Sequence, residues 1–90
     1  MLKIDLKSNV RKFLKKLPPK HERQILQKIV ALADNPYPPD SQLLKGYRAR
    51  RADVGEYRII YYVDDPWLHV PIVGKRNDSE VYKELRKRFG

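Results

Sequence analysis

The first segment of the chain alternates apolar and polar residues. Leu2, Ile4 and Leu6 are separated by Lys3 and Asp5, which is the period of a strand with one buried face. We therefore predict a half-buried β-strand at the start of the chain.

Two amphipathic helices are predicted next. The first has Ser8 as its candidate N-cap and a stripe of apolar residues at helical spacing, formed by Val10, Phe13, Leu14 and Leu17. Pro18 and Pro19 end this helix, and Pro19 can open the next one, because a proline in the first turn gives up an N–H that has no helical partner. The second stripe consists of Ile25, Leu26, Ile29, Leu32 and Ala33. Since the break is short, the two helices should form an antiparallel hairpin that covers one face of a sheet.

The rest of the chain is predicted to form three strands and a last helix. The proline-rich segment NPYPPDSQLLKG, residues 35–46, is interpreted as an extended connection. Strands are expected over residues 46–52, 56–63 and 67–75. Within the last of them, Pro71 belongs at an edge or a bulge because proline lacks a ladder donor.

The last helix completes a single domain over residues 1–90. Its apolar positions are Val81, Tyr82, Leu85 and Phe89, and its candidate caps are Asn77, Asp78 and Ser79. The predicted fold class is α+β. A strand and a helical hairpin pack on a mainly antiparallel four-stranded sheet, and a short C-terminal helix follows.

Turn lengths decide which arginines share a face of this sheet. We expect three-residue loops at residues 53–55, where the glycine suits a left-handed position, and at residues 64–66. Arg58 then lies opposite Arg50 on one side and Ile72 on the other. One face would hold Arg48, Arg50, Arg58 and Arg76. Two-residue loops would instead scatter the arginines over both faces.

Four arginines on one face would repel one another, by about 0.2–1 kcal/mol for each directly opposed pair. The functional interpretation is that a bound anion compensates this charge. The structural alternative is a solvated face on which the arginine stems cover aromatic neighbours.

The charge of the chain also points to an anionic partner. Its 90 residues include 20 Lys and Arg against 11 Asp and Glu, a net charge of +9. Such a field attracts RNA or DNA, and also acidic proteins; a merely soluble basic domain is the alternative. Cysteine is absent, so neither disulfides nor thiolate metal sites are expected. The N-terminus resembles neither a secretory signal nor a membrane anchor, and we expect a cytoplasmic protein.

Two motifs carry a family resemblance. The chain has GEYRIIY in its second predicted hairpin strand and GKRNDSEVY before the last helix. With the order of elements over essentially the whole chain, these motifs resemble the RelE-type toxins of bacterial and archaeal toxin–antitoxin modules, in the wider RelE/ParE superfamily. The first motif is shared across the superfamily, whereas the second favours its nuclease branch.

The resemblance implies an endoribonuclease, without metal or cofactor, that enters the ribosomal A site and cleaves mRNA during translation. In that family a ribose 2′-OH attacks the adjacent phosphate, leaving a 2′,3′-cyclic phosphate and a 5′-OH. The implied site residues are the basic pair Arg48 and Arg50, with Arg58, Arg76 and Tyr82. The implied inhibitor is a cognate acidic antitoxin with a partly disordered segment.

The residue types suit this chemistry. Guanidiniums stabilise charge on phosphoryl oxygens, which is the role expected of Arg58 and Arg76; Arg76 could also protonate the leaving oxygen. Tyr82 could stack on a base, although helix-to-sheet packing explains it nearly as well. Arg50 stands where some relatives have lysine, and arginine cannot readily act as a base. Further RNA contacts are expected from Arg48, Arg51, Lys45 and Lys75.

Other residues are interpreted as structural. His21 is expected to be exposed, and His69 to point away from the arginines unless a bulge intervenes. Trp67 is interpreted as packing, as are Tyr57, Tyr61 and Tyr62. A solvated helix face that could steer the protein onto rRNA is formed by Lys12, Lys15 and Lys16.

Two other functions fit the same pattern. One is a ParE-like poison of DNA gyrase, which needs no ribonuclease residues. The other is a non-catalytic RNA-binding module that uses the same basic face. Arg76 and Tyr82 favour the nuclease over the gyrase poison.

Overall fold

The computed structural model describes residues 1–77 and 80–89. Five strands form one sheet in the order β1-β5-β4-β3-β2, with β1 parallel to β5 and the other neighbours antiparallel. The elements in chain order are β1 (Lys3–Leu6), α1 (Ser8–Lys15), α2 (Pro19–Asp34), β2 (Ser41–Leu43), β3 (Arg50–Val54), β4 (Tyr57–Asp64), β5 (Trp67–Lys75) and α3 (Glu80–Phe89). The predicted α+β class is confirmed, with one strand more than expected.

The N-terminal third folds as its periodicity predicts. Pro19 is the first residue of α2, and the apolar stripes of both helices cover one face of the sheet. Their core contains Val10, Leu14, Ile25, Ile29 and Leu32, packed against Ala52, Ile59, Tyr61, Leu68 and Val70. One detail was wrong: Ser8 is the first helical residue and Lys7 takes the N-cap position, without a capping side-chain bond.

Helix α3 covers the other face of the sheet. Its Val81 and Leu85 are buried against Ile60 and Ile72 of the two central strands. The sheet is therefore packed on both faces. Of the caps expected for α3, Asp78 and Ser79 lie outside the described residues, as does the side chain of Phe89.

The fifth strand, β2, lies in the segment that we expected to be a connection. Its Gln42 pairs with Arg51 of β3 at the edge of the sheet. Three residues next to a proline-rich run are too few to show a period of two, which is why the sequence pattern missed this strand. Strand β3 also starts later than predicted, at Arg50, so Arg48 precedes the sheet.

Both hairpin loops have two residues, not three. Val54 pairs with Tyr57, so the β3–β4 loop is Gly55-Glu56, with Gly55 in a left-handed conformation at φ 56°. Asp64 pairs with Trp67, so the β4–β5 loop consists of Asp65 and Pro66. The predicted registers were therefore wrong. Arg58 lies opposite Asp53 rather than Arg50, a shift of three positions, and opposite Gly74 rather than Ile72, a shift of two to which the bulge contributes.

Strand β5 carries a bulge near Pro71. Ile60 pairs with Ile72, but Tyr62 pairs with His69, so β5 advances three residues where β4 advances two. The bulge accommodates a residue that lacks a ladder donor. It also turns His69 onto the sheet face of Ile72. Within residues 1–77 and 80–89, no helix has the length and apolar character that a membrane span requires.

Candidate active site

Side chains from two strands and a helix meet on the sheet face that α3 covers. The Tyr82 hydroxyl accepts a hydrogen bond from Nη1 of Arg51 at 3.3 Å and another from Nη1 of Arg58. The Arg58 guanidinium also lies 5.8 Å from the centre of the Tyr82 ring. Two cations from adjacent strands therefore hold one tyrosine in place.

Asp53 supplies a negative charge inside this cluster. Its Oδ1 accepts a hydrogen bond from Arg58 Nε at 2.7 Å, and its Oδ2 accepts one from Arg58 Nη2 at 3.2 Å. Arg76 Nε lies 3.7 Å from Asp53 Oδ2, and Arg76 Nη1 donates to the Gly55 carbonyl at 3.3 Å. Asp53 thus links Arg58 to Arg76. Part of the compensation that we expected from a bound anion comes from this carboxylate.

The ion pair of Arg58 and Asp53 shifts the pKa of both groups. The hydrogen bond from Arg58 is the main cause that lowers the pKa of Asp53, and burial opposes it. The same hydrogen bond raises the pKa of Arg58 above its usual value. Both groups are charged at neutral pH. Together with Arg51 and Arg76, the cluster keeps an excess of positive charge.

This ion pair predicts how stability depends on pH. We expect Asp53→Asn to lower the free energy of unfolding by about 1 kcal/mol near neutral pH, a modest value because Asp53 is 35% exposed. The folded pKa of Asp53 lies below its unfolded value of about 3.9. The stabilisation is therefore present above that pH and is lost as the pH falls through the folded pKa.

Urea unfolding of the wild type and the variant across this acidic range checks the prediction. Glu56→Gln, which neutralises an exposed carboxylate in the adjoining turn, is the matched control. If the difference in the free energy of unfolding between Asp53→Asn and the wild type stayed constant down to the lowest pH, the ion pair would not be the source of the stabilisation.

Four predicted site residues come together: Arg51, Arg58, Arg76 and Tyr82. The predicted placement of Arg50 beside Arg58 was wrong. Arg50 pairs with Tyr61 and lies on the helical-hairpin face, where its Nη2 donates to Ser41 Oγ at 2.9 Å and its guanidinium lies 5.3 Å from the Tyr37 ring. The shorter loop changes the parity of the register, so Arg51 occupies the face expected for Arg50.

The other predicted RNA contacts are exposed. Lys75 is exposed beside Arg76 at the end of β5. Lys45 and Arg48 are exposed in the turn between β2 and β3, and Arg48 lines a cleft with Tyr62. The prediction that Arg48 shares the arginine cluster was wrong, because Arg48 precedes the strand that carries Arg51.

Three residues that support the cluster were not predicted. The first is Asp53, which was expected in a loop. The second is Gln42, whose side-chain oxygen accepts a hydrogen bond from Arg51 Nε at 3.0 Å. The third is Gly74, which lies directly opposite Arg58. A Cβ on Gly74 would lie 2.5 Å from Val81 Cγ2, so α3 needs a glycine there to pack so closely. It is the two-residue loop at Gly55-Glu56 that places Asp53 opposite Arg58.

The two histidines lie outside the cluster. His21 is half-buried rather than exposed, and its Nδ1 shares a 2.8 Å hydrogen bond with the Tyr57 hydroxyl at the helix–sheet interface. His69 hydrogen-bonds Asp5 at 2.7 Å. The bulge places His69 on the face of the arginines but farther along the strands.

Comparison with known proteins gives the same superfamily as the motifs. Residues 4–82 match the family model for the ParE toxin of the type II toxin–antitoxin system parDE. No curated protein matches the chain by sequence.

Three solved structures resemble the chain along most of its length. The isolated RelE toxin of E. coli is 27% identical with a TM-score of 0.74, and the match covers 98% of each chain. A doubly substituted E. coli RelE in the free state is 28% identical with a TM-score of 0.79, covering 94% of each chain. In the archaeal RelE–RelB complex of Pyrococcus horikoshii OT3, a chain is 26% identical with a TM-score of 0.72, covering 84% of this chain and 96% of that one. The protein is thus a RelE-type member of the RelE/ParE superfamily of toxins from type II toxin–antitoxin systems.

Proposed function

We propose that this toxin is a ribosome-dependent endonuclease that cleaves mRNA in the A site. One observation carries the proposal: Arg51, Arg58 and Arg76, from three different segments, converge around Tyr82 and Asp53. Such a convergence of guanidiniums suits a phosphate whose charge increases during reaction.

In the proposed reaction, a ribose 2′-oxygen attacks the adjacent phosphorus and gives up its proton. The bond from phosphorus to the 5′-oxygen breaks, and that oxygen takes up a proton. The products are a 2′,3′-cyclic phosphate and a 5′-OH. Arg58 and Arg76 stabilise the phosphoryl oxygens, and the half-exposed Arg76 is the closer of the two to solvent.

Asp53 has a positioning role in this proposal. It binds Nε and Nη2 of Arg58, while Nη1 donates to Tyr82. These contacts fix the plane of the guanidinium, and the second N–H of each Nη is the donor proposed for the phosphate. The lowered pKa of Asp53 makes its carboxylate a weak acceptor for the 2′-OH proton. Asp53 therefore orients Arg58 rather than acting as the base.

The proposed partners follow from charge. An acidic antitoxin segment would be attracted to this basic protein, and the similar archaeal RelE occurs in a complex with RelB. A further basic surface at the C-terminal end of α1, formed by the exposed Lys12, Lys15 and the C-cap residue Lys16, would contact rRNA in the ribosome. The proposed site of action is the cytoplasm, where translation occurs.

Arg76→Ala is the direct test of the nuclease. The Arg76 side chain is 50% exposed, so we expect the variant to fold normally. Its cleavage rate should fall by about 10²–10³-fold, the effect of removing one hydrogen-bond donor to a developing oxyanion. Expression of the wild type should be toxic and should produce new 5′ ends within translated codons, as mapped by primer extension.

The matched control is Arg23→Ala, which removes an exposed arginine on α2, across the sheet from the cluster. Its cleavage should equal that of the wild type. If the toxic wild type produced no new 5′ ends in translated mRNA, the nuclease proposal would be rejected.

The second candidate function is a DNA gyrase poison, because the matching family model is that of the ParE toxin. Purified gyrase and supercoiled plasmid separate the two functions. A poison traps cleaved plasmid, whereas a ribosomal nuclease leaves the plasmid intact. Trapped DNA cleavage, unaffected by Arg76→Ala, would favour the gyrase poison.

A further inference from the structure

Three aromatic rings form a row on the sheet face that carries Arg58. The Tyr62 and His69 rings are stacked with centroids 4.8 Å apart and planes 30° apart. The His69 and Trp67 rings are stacked at 6.3 Å and 24°. We call Tyr62, His69 and Trp67 the aromatic row. The bulge in β5 creates it, because without the extra residue His69 would point to the other face.

Three adjacent strands hold the aromatic row in place. Tyr62 lies on β4, His69 and Trp67 lie on β5, and Asp5 on β1 binds His69 Nδ1 at 2.7 Å. Asp5 is itself paired with Lys7 at 2.9 Å, and these two contacts lower the pKa of Asp5. The His69 ring, which stacks on both of its neighbours, is therefore oriented before any ligand binds, which reduces the entropic cost of stacking.

The Trp67 end of the row is open. Trp67 is 41% exposed, although a tryptophan that served only to fill the core would be buried. The Lys3 ammonium lies 5.8 Å from the Trp67 ring. A planar group that stacks on Trp67 would thus have a cation within reach of its charged substituents.

The row continues toward the arginine cluster. Arg58 and Tyr62 share one face of β4 and are about 13 Å apart along it, at a strand rise of ~3.3 Å per residue. Beside Tyr62, Arg48 lines a cleft of about 510 Å³. Three carboxylates lie nearby. Asp5 Oδ2 binds both Lys7 and His69, Asp64 lies opposite Trp67 with its Oδ2 4.0 Å from His69 Nε2, and Asp65 is exposed in the adjoining loop. A flexible polyanion with planar groups matches this arrangement better than an apolar protein surface does.

We propose that the aromatic row is a stacking subsite for a base of single-stranded RNA, with Trp67 as the contact ring and Lys3 as the phosphate contact. The proposal rests on the proposed nuclease function, because it assigns to the subsite a base near the cleaved bond. Stacking on an aromatic ring accepts any base. The subsite therefore increases affinity without selecting a sequence.

The experiment uses Trp67 itself, because it is the only tryptophan in the chain. Oligoadenylate should quench its fluorescence on binding to the full-length protein. Inorganic polyphosphate, a polyanion without bases, should bind the arginines and leave the fluorescence unchanged. Quenching by both polyanions to the same extent would overturn the proposal, since charge alone would then explain it.

Variants of Trp67 measure how much its ring contributes to the affinity for oligoadenylate. Trp67→Ala should weaken the binding of fluorescein-labelled oligoadenylate by about 5- to 150-fold, the range per stacked base, whereas Trp67→Phe should retain most of the affinity. The matched control is Val30→Ala, which truncates an apolar side chain of similar exposure, 47%, on α2. Equal affinity of Trp67→Ala and the control would overturn the proposal.

Failure of the stacking subsite can be distinguished from failure of the proposed nuclease function. Quenching by oligoadenylate without any mRNA cleavage would support the subsite and reject the nuclease. Cleavage of mRNA without quenching by oligoadenylate would support the nuclease and reject the subsite. If oligoadenylate gave no quenching but the cognate antitoxin did, the aromatic row would be a protein-docking surface and the proposal would be overturned.

Discussion

Replacing Arg58 by alanine is expected to lower the rate of mRNA cleavage on the ribosome by about 10²–10³-fold. The Arg58 side chain is only 11% exposed and contacts both Asp53 and Tyr82. Its removal therefore eliminates a phosphate ligand and also the contacts that orient its neighbours. Primer extension of a reporter mRNA in a purified translation system measures the rate, and ribosome binding is measured alongside.

Arg58→Lys is the informative companion, because it keeps the charge but lacks the planar fork of donors. We expect its cleavage rate to lie between those of Arg58→Ala and the wild type. Loss of cleavage with retained ribosome binding excludes a non-catalytic RNA-binding module. Wild-type cleavage by a folded Arg58→Ala protein would remove Arg58 from the proposed mechanism.

Gly74→Ala is expected to have the second large effect, through the packing of α3. The new Cβ would lie 2.5 Å from Val81 Cγ2, and Val81 is buried. We expect a loss of about 1–3 kcal/mol in the free energy of unfolding, as for other overpacked sites. Because Tyr82 follows Val81 on α3, the shift of the helix should also separate Tyr82 from Arg58 and reduce cleavage. Urea unfolding and the cleavage assay measure the two effects.

A double variant tests this explanation. Val81→Ala alone removes buried methyl groups and should destabilise the protein. Combined with Gly74→Ala it also removes the clash, so the double variant should be more stable than the sum of the two single changes predicts. Strict additivity would mean that the Gly74 methyl group does not meet Val81.

Local patterns in the sequence predicted most of the elements but not their register. Helix α2 begins at Pro19 as expected because proline and the apolar stripe are both local signals. The pairing of Asp53 with Arg58 depends instead on both the length and the position of the loop before β4, which is Gly55-Glu56. Loops of two and of three residues both suit a glycine at position 55, so the sequence alone does not decide between them.

The candidate site was predicted only in part, because its motifs are local but the pairing of its strands is not. Arg58, Arg76 and Tyr82 belong to motifs, and the structure brings them together around Asp53. Arg50 was placed on the wrong face by a single residue of loop length. The exposure of Trp67 depends on a bulge, which a pattern of alternation cannot reveal.

The short edge strand β2 affects how well the arginine side chains of β3 are ordered. Its Ser41 side chain holds Arg50 below the sheet, and its Gln42 side chain holds Arg51 above it. Edge segments with few ladder partners open at a lower free energy than the central strands do. Fraying of these three residues would leave Arg51 with its contact to Tyr82 and Arg50 with its contact to Tyr37. We therefore expect the amide hydrogens of β2 to exchange faster than those of the central strands, and the ordering of the cationic side chains of β3 to vary with this exchange.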